Sequence, residues 1–208
     1  MSETIESVLA RYLPSEAVPT CTRWIVSRNI HLKITDMRAT KLGDYRPLGD
    51  GKGHRITVNH DLNPYAFLIT FTHEVAHLHC YLKHGPRHDA HGREWKAEFR
   101  YLMGFFLERN VFPNDIRSHL EKHLHDPPSS SCHDAELSKA LKKYDPLYKQ
   151  EMKHLDELPE GACFRLYGDR RKMTFQKGPL NRTRFRCMEI QTGREYLVSS
   201  IAEVELLQ

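Results

Sequence analysis

His73, Glu74 and His77 stand in the order H-E-x-x-H within FTHEVAHLHCYLKHGPRHDAHGREW, residues 71 to 95. This stretch holds six of the chain's fourteen histidines. Histidine is the commonest protein metal ligand and titrates near neutrality, so the cluster suggests a metal or a proton relay. On a helix, two histidines four residues apart share one face about 6 Å apart along the axis, so both imidazoles reach one ion. Glu74 beside them can take a proton from activated water and pass it to a leaving amine. A catalytic zinc needs a third protein ligand and one open position. Burying these side chains among Thr70, Ala76 and Leu78 without such a role is costly. The metal reading is therefore preferred over coincidence.

The third ligand has several candidates. A metzincin would carry glycine and histidine three and six residues after the second histidine, and Cys80 and Lys83 occupy those positions. That subclass is excluded. His79 lies on roughly the opposite helix face from His77. His84 shares that face but sits about 10 Å further along, beyond the reach of a ~2 Å metal bond. His88 and His91 follow the reversal at Gly85 and Pro86, and Glu94 and Glu98 offer a thermolysin-like set. His91, next to Gly92 at the start of the following helix, can swing back over the site. It is the preferred third ligand, with the others left open.

The elements that must hold these residues are punctuated in the sequence. Asn63 can cap a helix, Pro64 suits its first turn, and Gly85 with Pro86 ends it. The result is a helix over 64–84, about 31 Å long. In REWKAEFRYLMGFFLER, Trp95, Phe99, Leu102, Met103 and Phe106 share one face and predict a second core helix. Upstream, ETIESVLARYL and CTRWIVSR read as helices, and NIHLKITD and HRITVNHDL alternate as strands, with KLGDYRP as a further strand before the turn GDGKG. Downstream, NDIRSHLEKHLHD and DAELSKALKKY read as helices around the linker DPPSSS (126–131). From about Leu158, short strands with turns at YGDR, KGPLN and QTGR predict a small β-barrel.

Composition bounds the setting. A chain of 208 residues can bury a core without disulfides. Cys21, Cys80, Cys132, Cys163 and Cys187 are scattered, with no C-x-x-C pair, and read as reduced thiols. The first residues are acidic where a signal peptide is basic, and no apolar run is long enough to span a membrane. A cytoplasmic protein without membrane partners is expected. The net charge of +4 is mild, yet residues 162–188 carry eight Lys or Arg against Asp169 alone. RTRFRC places Arg182, Arg184 and Arg186 on one strand face with Phe185 behind them, a pattern suited to phosphate backbones or to simple solvation. Peptide tethering is a third use of such a module.

YAFLITFTHEVAHLHC followed by HGREWKAEFRYLM resembles the SprT-like zinc metalloproteases, the family related to Spartan. KLGDYR and HRITVNHDLNPY upstream are similar to the bacterial members. The resemblance spans roughly residues 1 to 108. It implies zinc ligands at His73, His77 and His91, a general base at Glu74, and a link to DNA-bound protein substrates. Zincins bind substrate along an edge strand, which makes Lys41 and Tyr45 candidates for lining the cleft. The chain departs from the many members that end in a four-cysteine zinc ribbon, so one catalytic Zn2+ is expected.

The combined expectation is an α+β protein: a zincin-like catalytic domain (1–108), a helical connector (109–157) and a small SH3-like or similar basic β-barrel (158–208). Its expected activity is zinc-dependent hydrolysis of peptide bonds in a protein or peptide substrate, with DNA a further partner through the basic module. Two other classes compete. One is a nucleic-acid-binding module with a structural or vestigial zinc site, against which the intact Glu74 argues. The other is a metal-dependent hydrolase of a non-peptide substrate.

Overall fold

Thr4 accepts a hydrogen bond from the Ser7 amide and starts α1 (Ile5–Leu9). The periodicity predicts helix through Tyr12. The chain instead leaves it after Leu9 in turns leading to Pro14, because the residue before a proline avoids helical backbone. The computed structural model describes residues 3–38, 41–49, 51–87, 89–128, 134–146, 153–169 and 171–207. His88, Cys132, Arg170 and residues 129–131 of the expected linker lie outside them. The chain divides into two compact units, Met1–Pro146 and Leu147–Gln208. Among the described residues there are six α-helices and two sheets, an α+β architecture.

In the first unit, a short 3-10 turn leads into α2 (Val18–Ser27), which buries Cys21, Trp24 and Ile25. Next come β1 (Ile30–Thr35), β2 (Gly43–Pro47) and β3 (His54–Asn59), in sheet order β1-β3-β2. β3 runs parallel to β1 and antiparallel to β2, so β2 is an edge strand. Strand alternation puts Gly43 and Tyr45 on the same sheet face as their partners Val58 and Ile56. That face turns toward α3 (Pro64–His84), where Gly43 meets Glu74 and Tyr45 meets Tyr81.

α3 has the limits that its punctuation predicts. The Asn63 side chain accepts from the amides of Tyr65 and Ala66, and Gly85 ends the helix with φ 72°, a left-handed value that suits glycine. The Asn63 amide nitrogen also donates to the Leu141 carbonyl at 2.8 Å and to Asp145 at 2.7 Å. It thereby ties the start of α3 to the end of α6 (Ala135–Lys142). α4 (Arg93–Glu108) packs on α3 and buries the five residues predicted for its inner face, Trp95, Phe99, Leu102, Met103 and Phe106. α5 (Asn114–His123) and α6 fall in the stretch expected as a connector. Their Ile116, Leu120, Leu137 and Leu141 join the same core as α3 and α4.

The second unit is an antiparallel six-stranded sheet: β4 (Lys153–His154), β5 (Cys163–Leu166), β6 (Thr174–Asn181), β7 (Arg184–Glu189), β8 (Glu195–Ser199) and β9 (Glu203–Leu206), in the order β4-β9-β5-β6-β7-β8. It is not the closed barrel that the sequence pattern suggests. Among the described residues, β4 pairs with β9 and β8 with β7, and β4 leads directly into a 3-10 turn at Leu155–Glu157. Phe164, Phe175, Cys187, Val198 and Val204 form its core with Leu155 and Leu158. No described helix is long and apolar enough to cross a membrane.

Candidate metal centre

α3 presents His73 and His77 one turn apart, and their Nε2 atoms lie 3.1 Å from each other. The chain reverses after Gly85, and the Gly92 amide closes a turn onto the Asp89 carbonyl at the start of α4. This brings His91 back over α3. Its Nε2 stands 3.2 Å from that of His73 and 3.2 Å from that of His77.

The triangle fits a metal ion. A tetrahedral zinc with ~2.05 Å bonds holds pairs of nitrogen ligands about 3.3 Å apart. Mutual hydrogen bonding does not account for it. A neutral imidazole nitrogen is either a donor or an acceptor, so among three mutual neighbours at least one pair is alike. Among the described residues, these three alone form a group of ligands able to hold an ion. Burial, followed by repulsion from His77 and His91, pushes the His73 pKa down to about 2 and keeps the ring neutral, the form that ligates. Burial also lowers His91.

Trp95 forms the floor of this arrangement. Fully buried on α4, it lies 4.5, 5.4 and 4.8 Å between ring centres from His73, His77 and His91, and its indole N–H donates to the His73 carbonyl at 3.4 Å. Behind it, Phe99 stacks on Trp95 at 5.1 Å and touches His123, which pairs with Asp134 at 3.0 Å. The sequence reading assigned Trp95 to the core and missed its contact with every ring of the triad. The signal was its place, four residues beyond His91 at the start of an amphipathic helix.

Glu74 points from the same helix toward the sheet and is 6% exposed. A Cβ built on Gly43 would stand 2.5 Å from Glu74 Oε1 and 2.9 Å from Thr70 Cγ2, so β2 crosses the carboxylate at a distance only glycine permits. Burial raises the Glu74 pKa to about 8. Asp44 adds to the rise, while Lys41, Arg38 and a hydrogen bond from the Tyr45 backbone N–H oppose it. Arg38 helps to fix the chain beneath this strand. Its guanidinium donates to Asn59 Oδ1 at 2.8 Å and Thr57 Oγ1 at 3.1 Å, and buried Asn59 returns a bond to the Lys41 carbonyl at 3.2 Å.

The remaining candidates fall in different places. Lys41 bonds to Asp44 at 2.7 Å, and Asp44 also holds Arg46, so Lys41 acts on Glu74 only through space. Tyr45 lies on β2 beside the site, its hydroxyl 3.1 Å from His54 Nδ1. Glu98 is engaged by His79 and Lys83 on another side of α3, and Glu94 lies beside Arg93. Neither glutamate joins the triad, nor does His84. In the second unit, Arg184 and Arg186 project from one exposed face of β7. Arg182 does not share their strand. It sits in the β6–β7 turn with φ 59°, because the hairpin reverses there.

Residues 21–117 match the SprT-like family, a span that includes the three strands, α3, α4 and all three histidines. No curated protein and no solved structure matches the chain. Through residues 21–117, the chain is similar to the SprT-like family.

Proposed function

We propose that the first unit is a zincin-like, zinc-dependent peptidase. The observation that carries this reading is the convergence of three Nε2 atoms within 3.2 Å of one another, beside a buried carboxylate on the same helix. His73, His77 and His91 would hold the ion. Zinc bound there supplies Lewis acidity, polarising a peptide carbonyl and acidifying water. Glu74 accepts the proton of the attacking water and returns it to the leaving amine. The Tyr45 N–H and the close approach of Gly43 hold the carboxylate in place for both transfers. The outer edge of β2 gives an extended substrate a row of backbone groups to pair with.

Glu74→Gln tests this assignment. Glutamine keeps the shape and loses the proton acceptor, so the variant is expected to retain zinc by metal analysis and to lose cleavage of casein. Near wild-type cleavage by the variant would overturn the role of Glu74. A wild-type protein that binds zinc but cleaves no peptide would favour a structural zinc site or a non-peptide substrate.

The second unit supports a separate reading as a nucleic-acid contact, carried by Arg184 and Arg186 on the exposed face of β7. Linked to the first unit, it would bring the peptidase to DNA-associated proteins. Cys21, Cys80, Cys163 and Cys187 are free thiols, which suits a reducing cytoplasm.

A further inference from the structure

Tyr45, His54 and Tyr81 form a ring cluster whose Tyr81 stands one helical turn beyond His77. Their ring centres lie 5.8 Å (Tyr45–His54), 6.2 Å (Tyr45–Tyr81) and 6.0 Å (His54–Tyr81) apart. All three side chains are half-buried, so each keeps part of its surface open. The Tyr45 hydroxyl and His54 Nδ1 satisfy each other at 3.1 Å, leaving mainly ring surface to meet a ligand. The cluster's position is set by the machinery already described. Tyr45 is the residue whose backbone N–H holds Glu74, and Tyr81 is one helical turn beyond His77. One turn is about 5.4 Å, and an extended chain advances about 3.3 Å per residue. The rings therefore lie within one or two residues of a bond held at the ion.

We infer that Tyr45, His54 and Tyr81 form the subsite that selects the peptidase's substrate, receiving an apolar, preferably aromatic, side chain next to the scissile bond. This rests on the peptidase reading and deepens it. Three rings offer edge-to-face and stacked contacts to a fourth. A cationic side chain is the alternative guest for aromatic faces, but the surroundings oppose it. Asp44, the acid next to Tyr45 on β2, alternates to the other face of the strand and is already occupied by Lys41 and Arg46.

The test is a binding measurement that does not depend on turnover. Fluorescently labelled extended peptides, carrying Phe, Gly, Lys or Arg at each position in turn, are titrated into the full chain carrying Glu74→Gln, with zinc supplied. One position is expected to favour Phe over Gly. Tyr81→Ala in that background should cut the Phe/Gly affinity ratio about tenfold, and Tyr81→Phe should restore it. If Tyr81→Ala does not fold, as judged by circular dichroism, His54→Ala takes its place with the same expectation. A ratio unmoved by the substitution, no positional preference, or a preference for Lys or Arg would overturn the inference. Cleavage by the wild-type chain is measured separately. Selective binding without cleavage would refute the hydrolytic reading while leaving the subsite standing.

Discussion

Gly43 lies against Glu74 so closely that a single methyl group on it would stand 2.5 Å from the carboxylate oxygen. The edge strand and the proposed general base are therefore one mechanical unit. Gly43→Ala must push the Glu74 side chain or β2 aside, and it leaves the three histidines untouched. The expected outcome is full zinc content with kcat lowered by about 10²-fold, the cost of a misplacement near 1 Å. Metal analysis with steady-state kinetics checks it. Wild-type kcat in this variant would show that Glu74 does not need its present position.

The ligand assignment separates cleanly by substitution. His91→Ala removes one corner of the triangle, whereas His84→Ala and Glu94→Gln change side chains outside it. Zinc content after purification should collapse in the first and remain full in the other two. Full occupancy in His91→Ala, with loss in Glu94→Gln, would move the site to a thermolysin-like set.

Much of this site was legible because it is local. H-E-x-x-H places two histidines and the proposed base by helical period alone, and the caps at Asn63 and Gly85 fix the helix that carries them. His91 was preferred because it follows the reversal at Gly85 and Pro86 and opens the next helix, while His88, Glu94 and Glu98 stayed open, since the path of the turn is not written in the local sequence. Gly43, Tyr81 and His54 were not legible, since their roles come from the packing of β2 across α3. No periodicity within either element encodes that contact. The same limit explains the second unit. Alternation located its strands, but pairing between strands distant in sequence has no local signature, so the open order β4-β9-β5-β6-β7-β8 was not legible, and Arg182 was assigned to the strand of Arg184 and Arg186, which begins two residues later.

His123 gives the first unit a pH dependence apart from the metal. It is 4% exposed, and burial holds its pKa below the ordinary 6.5 although Asp134 pulls the other way. As pH falls below 6.5, the unfolded chain takes up a proton that the folded chain resists, so stability drops with acid. His123→Gln removes this term while sharing every other histidine. Urea midpoints should show wild type ahead near pH 7.5, with the gap narrowing as pH falls toward 5. Parallel curves would mean that His123 does not titrate differently on folding.

The basic face of the second unit makes a prediction about salt. Arg184 and Arg186 point from one side of β7, where Arg184 pairs across the sheet with Ser199 and Arg186 with Leu197. Arg186 has a carboxylate neighbour, Glu195, at 3.9 Å, an exposed pair that phosphate can displace at little cost. If the face binds nucleic acid, the full chain should bind DNA with log affinity falling linearly against log salt, because each phosphate contact releases a counterion. Replacing Arg184 and Arg186 together should flatten that slope by about two units if both touch phosphate. Adding Arg182, which reaches from the turn rather than the strand, tests whether the contact extends around the hairpin. These changes should leave hydrolysis of a short free peptide unaltered, because the proposed zinc ligands, His73, His77 and His91, belong to the other unit. They should slow only the cleavage of DNA-bound proteins, where local concentration sets the rate. An unchanged slope after the double replacement would make the two arginines a solvated surface and direct the search for a partner to the exposed apolar residues beside them, Met188 and Leu197.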